Sequence, residues 1–289
     1  MGGFLLGRRS FLGLVGALAL GGASPLFASP PTEADTSDEA RQKAIRAIPF
    51  ERLTPQSQAR LKQALTGAGT YRRAPVEVFP CDPDLYLFLV RNPEVIVNLW
   101  RTMNVTQLTC RKVEPYVVDA QDGMGTFARA ELLYGDPALH VVLGEGYYEG
   151  ALLRRRTNGK SVMILSSGYF RGDDGSPYVS VQLDFFLDVE FGAADLLART
   201  FQPMVGKAID MNFSESAKFL GKVHQVSETN GPGMAELAGK LQDCDPATRQ
   251  EFAGVVQSIH QRFLERHGVS DALAANVAPG SGTILAPRN

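Results

Sequence analysis

Residues 177–191 read PYVSVQLDFFLDVEF, and hydrophobic and polar residues alternate along most of this stretch. On one side of an extended chain the residues are all apolar: Val179, Val181, Leu183, Phe185, Leu187 and Val189. The other side is mostly polar: Tyr178, Ser180, Gln182, Asp184, Phe186 and Asp188. A period of two is typical of a strand with one buried face and one mostly solvated face. The stretch therefore predicts a strand of an antiparallel sheet.

Strand-like runs and two short helices precede this strand. The runs cover residues 105–114, 124–134, 139–149, 151–156 and 161–171, and a shorter one covers 75–80. Asn158-Gly159 predicts a hairpin turn between the runs 151–156 and 161–171, because both residues tolerate a positive φ. Asp82-Pro83 and Asn92-Pro93 each predict the start of a helix, since proline is favoured in the first turn.

A long helix is expected directly after the strand, over residues 193–226. Its apolar residues recur at steps of three and four, and Pro203 predicts a start, break or kink near Phe201. Shorter helices are expected over 38–47, 54–65, 234–243 and 246–267. The predicted organisation is a linker with helices at 29–74, a central domain at 75–228, C-terminal helices at 229–267 and a disordered tail at 268–289.

This order of elements resembles the helix-grip fold of the START-like superfamily, which includes lipid-transfer domains, birch-pollen-allergen-like proteins and aromatic polyketide cyclases. The resemblance covers residues 75–228 and rests also on Val78-Phe79-Pro80-Cys81-Asp82-Pro83, Tyr86, Asn92-Pro93 and Trp100. It implies an α+β fold in which a curved, antiparallel, seven-stranded sheet wraps a long C-terminal helix, with extra helices at both ends. The superfamily has no invariant catalytic motif, so the resemblance implies a cavity but no activity.

That fold implies a cavity between the concave face of the sheet and the long helix. The expected lining residues are Trp100, Ala128, Ala130, Val181, Leu183, Phe185, Leu187, Phe201, Val205, Ile209 and Phe213. Thr126, Ala128 and Ala130 share one face and are small, so they would leave room for a ligand. For any single residue, ordinary core packing is the better explanation, so the cavity hypothesis concerns the residues as a set.

Sequence motifs give little support for catalysis, metal binding or nucleotide binding. Residues 144–150 contain GxGxxxG in an antiparallel region, which does not indicate a nucleotide loop. His140, His224, His260 and His267 lack metal-ligand spacing, and we interpret His140 and His224 as structural. No GxSxG pattern is present, which argues against acyl transfer. We therefore predict no catalytic residue, no metal and no cofactor.

The amino-acid composition argues against several further classes of protein and of site. The formal net charge of −2 provides no basic field for nucleic acid or for an anionic membrane surface. A hydrophobic fraction of 44% is enough for a substantial core. Cys81, Cys110 and Cys244 are an odd number without CxxC spacing, so neither a disulfide framework nor a zinc site is indicated.

The N-terminus resembles a twin-arginine signal peptide over residues 1–28. Arg8-Arg9 is followed at the characteristic spacing by Phe11-Leu12 and then by a weakly apolar, Gly- and Ala-rich run. The resemblance implies export in the folded state to a periplasmic or other extracytoplasmic location, with the twin-arginine translocase as a partner. An uncleaved anchor or a general secretory signal remains an alternative, although the 18 residues from Phe11 to Ala28 fall short of the roughly 20 that span a bilayer.

The main hypothesis is an exported, non-catalytic protein that holds a hydrophobic small molecule or lipid between the sheet and the long helix. The predicted inward faces are nearly all apolar, which favours binding over catalysis. One alternative is a cyclase- or hydratase-like enzyme, which needs a strongly perturbed acid or base inside the cavity. The other is an interaction domain without a cavity, in which the helix 246–267 presents Phe252, Val256, Ile259 and Phe263 to a partner.

Overall fold

The structure is a computed structural model that describes residues 33–150, 156–190 and 197–268. The predicted signal peptide at 1–28 and almost all of the predicted tail at 268–289 lie outside the described residues. The helices are α1 (Asp38–Arg46), α2 (Pro55–Gly67), α3 (Pro83–Arg91), α4 (Pro93–Thr102), α5 (Leu197–Thr229), α6 (Gly231–Gly239) and α7 (Pro246–Arg266). The strands are β1 (Thr70–Arg73), β2 (Glu77–Pro80), β3 (Thr109–Glu114), β4 (Val117–Gln121), β5 (Thr126–Gly135), β6 (Leu139–Tyr148), β7 (Thr157–Arg171) and β8 (Pro177–Val189).

All of these strands form one antiparallel sheet in the order β1-β8-β7-β6-β5-β4-β3. β1 pairs with the second half of β8 and β2 pairs with its first half, so the two short strands share one edge. The sheet therefore has seven positions, and α5 packs against its inner face. The predicted α+β helix-grip architecture, with extra helices at both ends, is confirmed.

Some local predictions are wrong. Gly159 pairs with Gly146 on one side and with Val189 on the other, so Asn158-Gly159 lies inside β7 and not in a hairpin turn. β4 occupies residues between 114 and 124, where no strand was expected, and most of the run 151–156 lies outside the described residues. α5 continues through Pro203, so the helix neither starts nor ends there.

Proline and a capping side chain start several helices, as expected. The Asp82 carboxylate accepts a hydrogen bond from the Asp84 N–H at the start of α3, and Asp245 accepts one from the Thr248 N–H in α7. α6 begins at residue 231 and not at 234, because the Asn230 side chain caps it by accepting the Gly233 N–H. These caps fix the positions of the helices that cover the sheet.

The outer face of the sheet is covered by α1 and α2. Leu61 and Leu65 of α2 pack against Val162 and Phe186 in a hydrophobic cluster. Phe186 is fully buried and Asp184 is only 3% exposed, so the expectation that this face of β8 is mostly solvated is wrong. The alternation of β8 is unchanged, but helices that are distant in sequence cover its second face.

The inner face carries the larger core. Val181, Leu183 and Phe185 of β8 pack with Ile209 and Phe213 of α5 in a cluster that also includes residues of α3, α4, α6 and α7.

The apolar stripe of α7 belongs to the same core. Phe252 and Val256 are fully buried and Ile259 nearly so. The hypothesis that α7 presents this stripe to a partner is therefore wrong for these residues. Within the described ranges, no helix combines the length and apolar character that crossing a membrane requires.

Candidate functional site

A cavity of about 150 Å³ lies between the inner face of the sheet and the helices α3 and α4. Its wall from the helices and the following loop consists of Val90, Pro93, Ile96, Val97, Trp100 and Leu108. The strands contribute Cys110, Val118, Ala120, Ala128, Ala130, His140, Val142, Met163, Leu165 and Leu183. None of the side chains described for α5, which are those from residue 205 onward, is among them. The cavity thus lies under α4 and not under the described part of the long helix.

Small residues on neighbouring strands create the space. Ala128 of β5 pairs with Ala120 on one side and with Gly146 on the other. Ala130 pairs in the same way with Val118 and Gly144. Ala120, Ala128 and Ala130 form the floor of the cavity, because their short side chains leave space below the helix above.

Gly146 is required by the geometry of this floor. A Cβ at position 146 would collide with the carbonyl oxygen of Phe127, so a larger residue does not fit without a shift of the backbone. Glycine at this position therefore allows β6 to approach the backbone of β5 beside Ala128.

α4 forms the roof. Its apolar face turns Ile96, Val97 and Trp100 toward the cavity, while Leu99 contributes to the main core. The Trp100 ring also packs against Phe219 of α5, with 5.5 Å between the ring centroids. Trp100 therefore connects the wall of the cavity with the long helix.

His140, the second residue of β6, is the unusual group in this wall. It is fully buried, and neither ring nitrogen has a hydrogen-bond partner within the described part of the chain. The ring lies beside Gly135, where a Cβ would be 3.1 Å from its Cδ2, so the glycine leaves room for it.

The environment keeps His140 neutral. Burial and, less strongly, the positive charge of Arg91 together lower its pKa from 6.5 to about 4, while the charge of Asp136 opposes the shift. A neutral imidazole offers one hydrogen-bond donor and one acceptor. His140 is therefore a polar group without a described partner in an apolar cavity.

A buried ion pair lies beside the cavity. The Glu94 side chain of α4 has no exposed surface, and its Oε1 is 3.0 Å from the Lys112 ammonium of β3. Lys112 also donates hydrogen bonds to Asn92 Oδ1 at 2.6 Å and to Thr248 Oγ1 at 3.1 Å. Burial raises the pKa of Glu94. The pair connects the roof helix to the edge of the sheet and to α7.

A second concavity, a groove of about 630 Å³, lies between the β7–β8 hairpin and the helices α5 and α7. Several of its charged groups pair with one another. Arg262 is 2.9 Å from Asp82, and Arg266 contacts Glu228, which is also 3.4 Å from His224. Because these groups already have partners, the apolar cavity with His140 is the stronger candidate site.

The structure separates the residues that we expected to line one cavity. Trp100, Ala128, Ala130 and Leu183 do lie together in the cavity wall. A second group lies in the packed core between β8 and α5: Val181, Phe185, Val205, Ile209 and Phe213. Leu187 is partly buried against that core. Phe201 falls within α5, but its side chain lies outside the described ones.

Sequence reasoning missed His140 and most of the roof. The sequence signal that could have identified His140 is the alternation of β6, which places four residues on one face of the strand. These residues are His140, Val142, Gly144 and Gly146. The cross-strand pairing brings that face next to Ala128 and Ala130. A structural histidine normally has hydrogen-bond partners, and His140 has none within the described ranges. Among the described residues, no group of three or more His, Cys, Asp or Glu side chains is arranged to hold a metal ion.

Comparisons with known proteins give a fold-level likeness only. No family model matches the chain, and no curated protein matches it significantly. A conserved protein from Geobacillus kaustophilus has 14% identity and a TM-score of 0.34, over 48% of this chain and 86% of that chain. Ara h 8.0201 has 14% identity and a TM-score of 0.27, over 49% and 95%. Mll3558 from Rhizobium loti has 12% identity and a TM-score of 0.26, over 50% and 96%. With scores this low, the fold assignment rests on the topology of the chain itself.

Proposed function

We propose that the chain is a non-catalytic binding protein that holds a small hydrophobic molecule in the cavity under α4. The observation that carries this proposal is an apolar cavity of about 150 Å³ whose small lining residues are Ala120, Ala128 and Ala130. Burial of apolar ligand surface supplies the affinity, at about 25 cal/mol per Å² removed from water.

The size of the cavity narrows the ligand class. Benzene fits a dry apolar cavity of roughly 150 Å³, whereas drug-sized sites run from roughly 300 to 1,000 Å³. The volume therefore favours a molecule built on one aromatic or alicyclic ring. It disfavours the long-chain lipid that the sequence analysis also allowed.

Toluene is a suitable probe for this proposal. Titration of the full chain, followed by methyl NMR of the residues around α4, is expected to show saturable binding at one site. Ala130→Leu places a larger side chain in the floor and should abolish binding. Ala138→Leu makes the same change on the exposed β5–β6 turn and should leave it intact. Binding that does not saturate, or that survives Ala130→Leu, would contradict the proposal.

One observation favours a second candidate, an enzyme of the cyclase or hydratase kind. His140 is a base with a strongly lowered pKa inside the cavity, which such an enzyme requires. A catalytic base is usually oriented by a further polar group, and His140 has no such partner among the described residues. Incubation with a series of cyclic ketones and alcohols, followed by mass spectrometry, separates the two functions: a binding protein returns each compound unchanged.

We also propose that residues 1–28 direct export through the twin-arginine pathway. Arg8, Arg9, Phe11 and Leu12 carry this proposal as a sequence pattern. Arg8→Lys with Arg9→Lys should retain the precursor in the cytoplasm of a twin-arginine-competent bacterium, as measured by cell fractionation. Arg46→Lys in α1 serves as the control. Export of the double variant would support a general secretory signal instead.

A further inference from the structure

We infer that His140 selects the ligand, by forming a hydrogen bond with a single neutral hydroxyl or carbonyl group on a ring-sized molecule. This inference rests on the proposed binding function and adds the chemical class of the ligand. It makes the cavity a site for compounds such as phenols or cyclic ketones rather than for plain hydrocarbons.

The first support for a contact between His140 and a ligand is that a buried histidine without a partner lowers the stability of the protein. A buried polar group without a hydrogen bond is destabilising, and an apolar side chain of similar size would pack well in this wall. Elsewhere in the sheet the buried Asp184 accepts hydrogen bonds from Tyr71 and Arg73. His140 is among the residues that line the cavity, and neither of its buried ring nitrogens has a comparable partner within the described ranges. A ligand that enters the cavity can supply that partner.

The charge of the site is the second argument. At neutral pH the imidazole is uncharged, because burial and Arg91 hold its pKa near 4. No lysine or arginine is among the residues described as lining the cavity. A carboxylate would therefore lose its hydration in an apolar space without a cation in contact, since Arg91 is not among the lining residues, and this is strongly unfavourable. A neutral hydroxyl or carbonyl group avoids this penalty and can use the donor or the acceptor of the imidazole.

The size of the site is the third argument. A cavity of about 150 Å³ accommodates one ring with one small substituent. Because His140 lies at one part of a wall that is otherwise apolar, a single polar substituent is sufficient. The ring itself would contact Trp100, Ala130 and Leu183.

Phenol and toluene test the inference, because they have similar sizes and differ in one hydroxyl group. We compare the ratio of their dissociation constants in the full-length wild type with the same ratio in His140→Leu. Because each compound loses the same hydration in both proteins, the change in the ratio reports the contact with His140. The preference for phenol should fall by about tenfold, the size of one neutral hydrogen bond. His267→Leu, at an exposed histidine, should leave the ratio unchanged.

The outcomes separate the inference from the proposed function. If both probes bind but the ratio does not change in His140→Leu, the inference is overturned and the proposed function stands. If neither probe binds the wild type, the proposed function fails and the inference fails with it. Benzoate that binds as tightly as phenol would overturn the neutral ligand class.

A measurement on the wild type covers the case in which His140→Leu does not fold. In protein labelled with ¹⁵N-histidine, phenol should shift one ring-nitrogen resonance of His140 toward its hydrogen-bonded value, whereas toluene should not. Equal shifts with both probes would contradict the inference.

Discussion

Asp184 and His140 are polar residues buried on opposite faces of the same sheet, and their surroundings differ in one decisive way. Asp184, on the outer face, accepts hydrogen bonds from the Tyr71 hydroxyl at 2.6 Å and from the Arg73 guanidinium at 2.8 and 3.0 Å. His140, on the inner face, has no hydrogen-bond partner among the described residues. The comparison shows that the polar atoms of Asp184 are satisfied within the fold, whereas the ring nitrogens of His140 have no partner among the described residues, as the proposed contact with a ligand requires.

The packing of side chains also differs between the outer face, around Asp184, and the inner face, around His140. On the outer face α2 presses large side chains against the sheet, and the rings of Tyr71 and Phe186 lie 4.9 Å apart. On the inner face, under α4, the floor consists of Ala120, Ala128 and Ala130, and a cavity remains. The outer face is filled beneath α2, whereas the inner face, which carries the larger core elsewhere, keeps a cavity beneath α4.

The largest expected effect comes from removing the Asp184 carboxylate, which accepts hydrogen bonds from Tyr71 and Arg73 on the outer face of the sheet. Asp184→Ala should lower the free energy of unfolding by about 3–5 kcal/mol, because it leaves the largely buried Arg73 charge without its partner. Urea denaturation of the full chain measures this. Asp119→Ala removes a carboxylate from an exposed ion pair with Arg129 and should cost much less, since solvent screens that pair. Similar losses in the two variants would mean that the outer face is not specially dependent on Asp184.

The second effect is a pH dependence that His140 confers. Its pKa is about 4 in the folded protein and 6.5 in an unfolded chain, so the unfolded state binds more protons between these values. The stabilisation is therefore complete above the higher pKa and is lost as the pH falls toward the lower one. Between pH 7 and pH 5 the wild type should lose about 2 kcal/mol more than His140→Leu.

This pH comparison also controls for other groups. Arg91 from α3 and Asp136 from the β5–β6 turn act on His140, and both remain in the variant. Glu94, whose pKa is raised, has the opposite dependence, since its contribution falls as the pH rises above the ordinary range of a glutamate. That contribution is common to both proteins and cancels. Parallel pH profiles for the wild type and His140→Leu would contradict the assignment.

The third effect is an opposite change in stability and in ligand preference when His140 is replaced. At pH 7, His140→Leu should raise the free energy of unfolding by about 1 kcal/mol, because it removes a buried polar group without a partner. The same variant should lose the preference for phenol. A destabilised His140→Leu protein would indicate that the histidine has a structural role, as the sequence analysis supposed.

The smallest effect concerns the floor. Ala130→Val adds apolar volume to the cavity and should change the free energy of unfolding by only about 0.5 kcal/mol, in the stabilising direction. It should weaken toluene binding, as measured by the same NMR titration. Ala138→Val, on the exposed turn, should change neither quantity. A strong destabilisation by Ala130→Val would show that the floor is already tightly packed.

The sequence contained enough to predict the sheet and the long helix. The period-two pattern of β8 and the three- and four-residue steps of α5 are local, and local patterns survive folding. The burial of Phe186 depends instead on where α2 packs, which no local pattern specifies. The same limit applies to the position of the cavity, since the choice between α4 and α5 as its cover is a matter of tertiary packing.

The candidate site was predicted in part. Ala128 and Ala130 were identified by their small size on one face of a strand, and that face does form the floor. His140 was interpreted as structural, because a lone histidine near a strand end carries no motif. Its importance becomes visible only when the pairing of β6 with β5 places it beside the floor, and when its ring nitrogens are found without partners.

A crystal structure of the protein with phenol would show directly whether the cavity holds a ring beside His140. We expect the ring in the cavity between Trp100 and Ala130, with the phenol oxygen within hydrogen-bond distance of a ring nitrogen of His140. Phenol bound there with its hydroxyl directed away from His140 would rule out the proposed contact, and a cavity that stays free of phenol at saturating concentration would rule out the proposed binding.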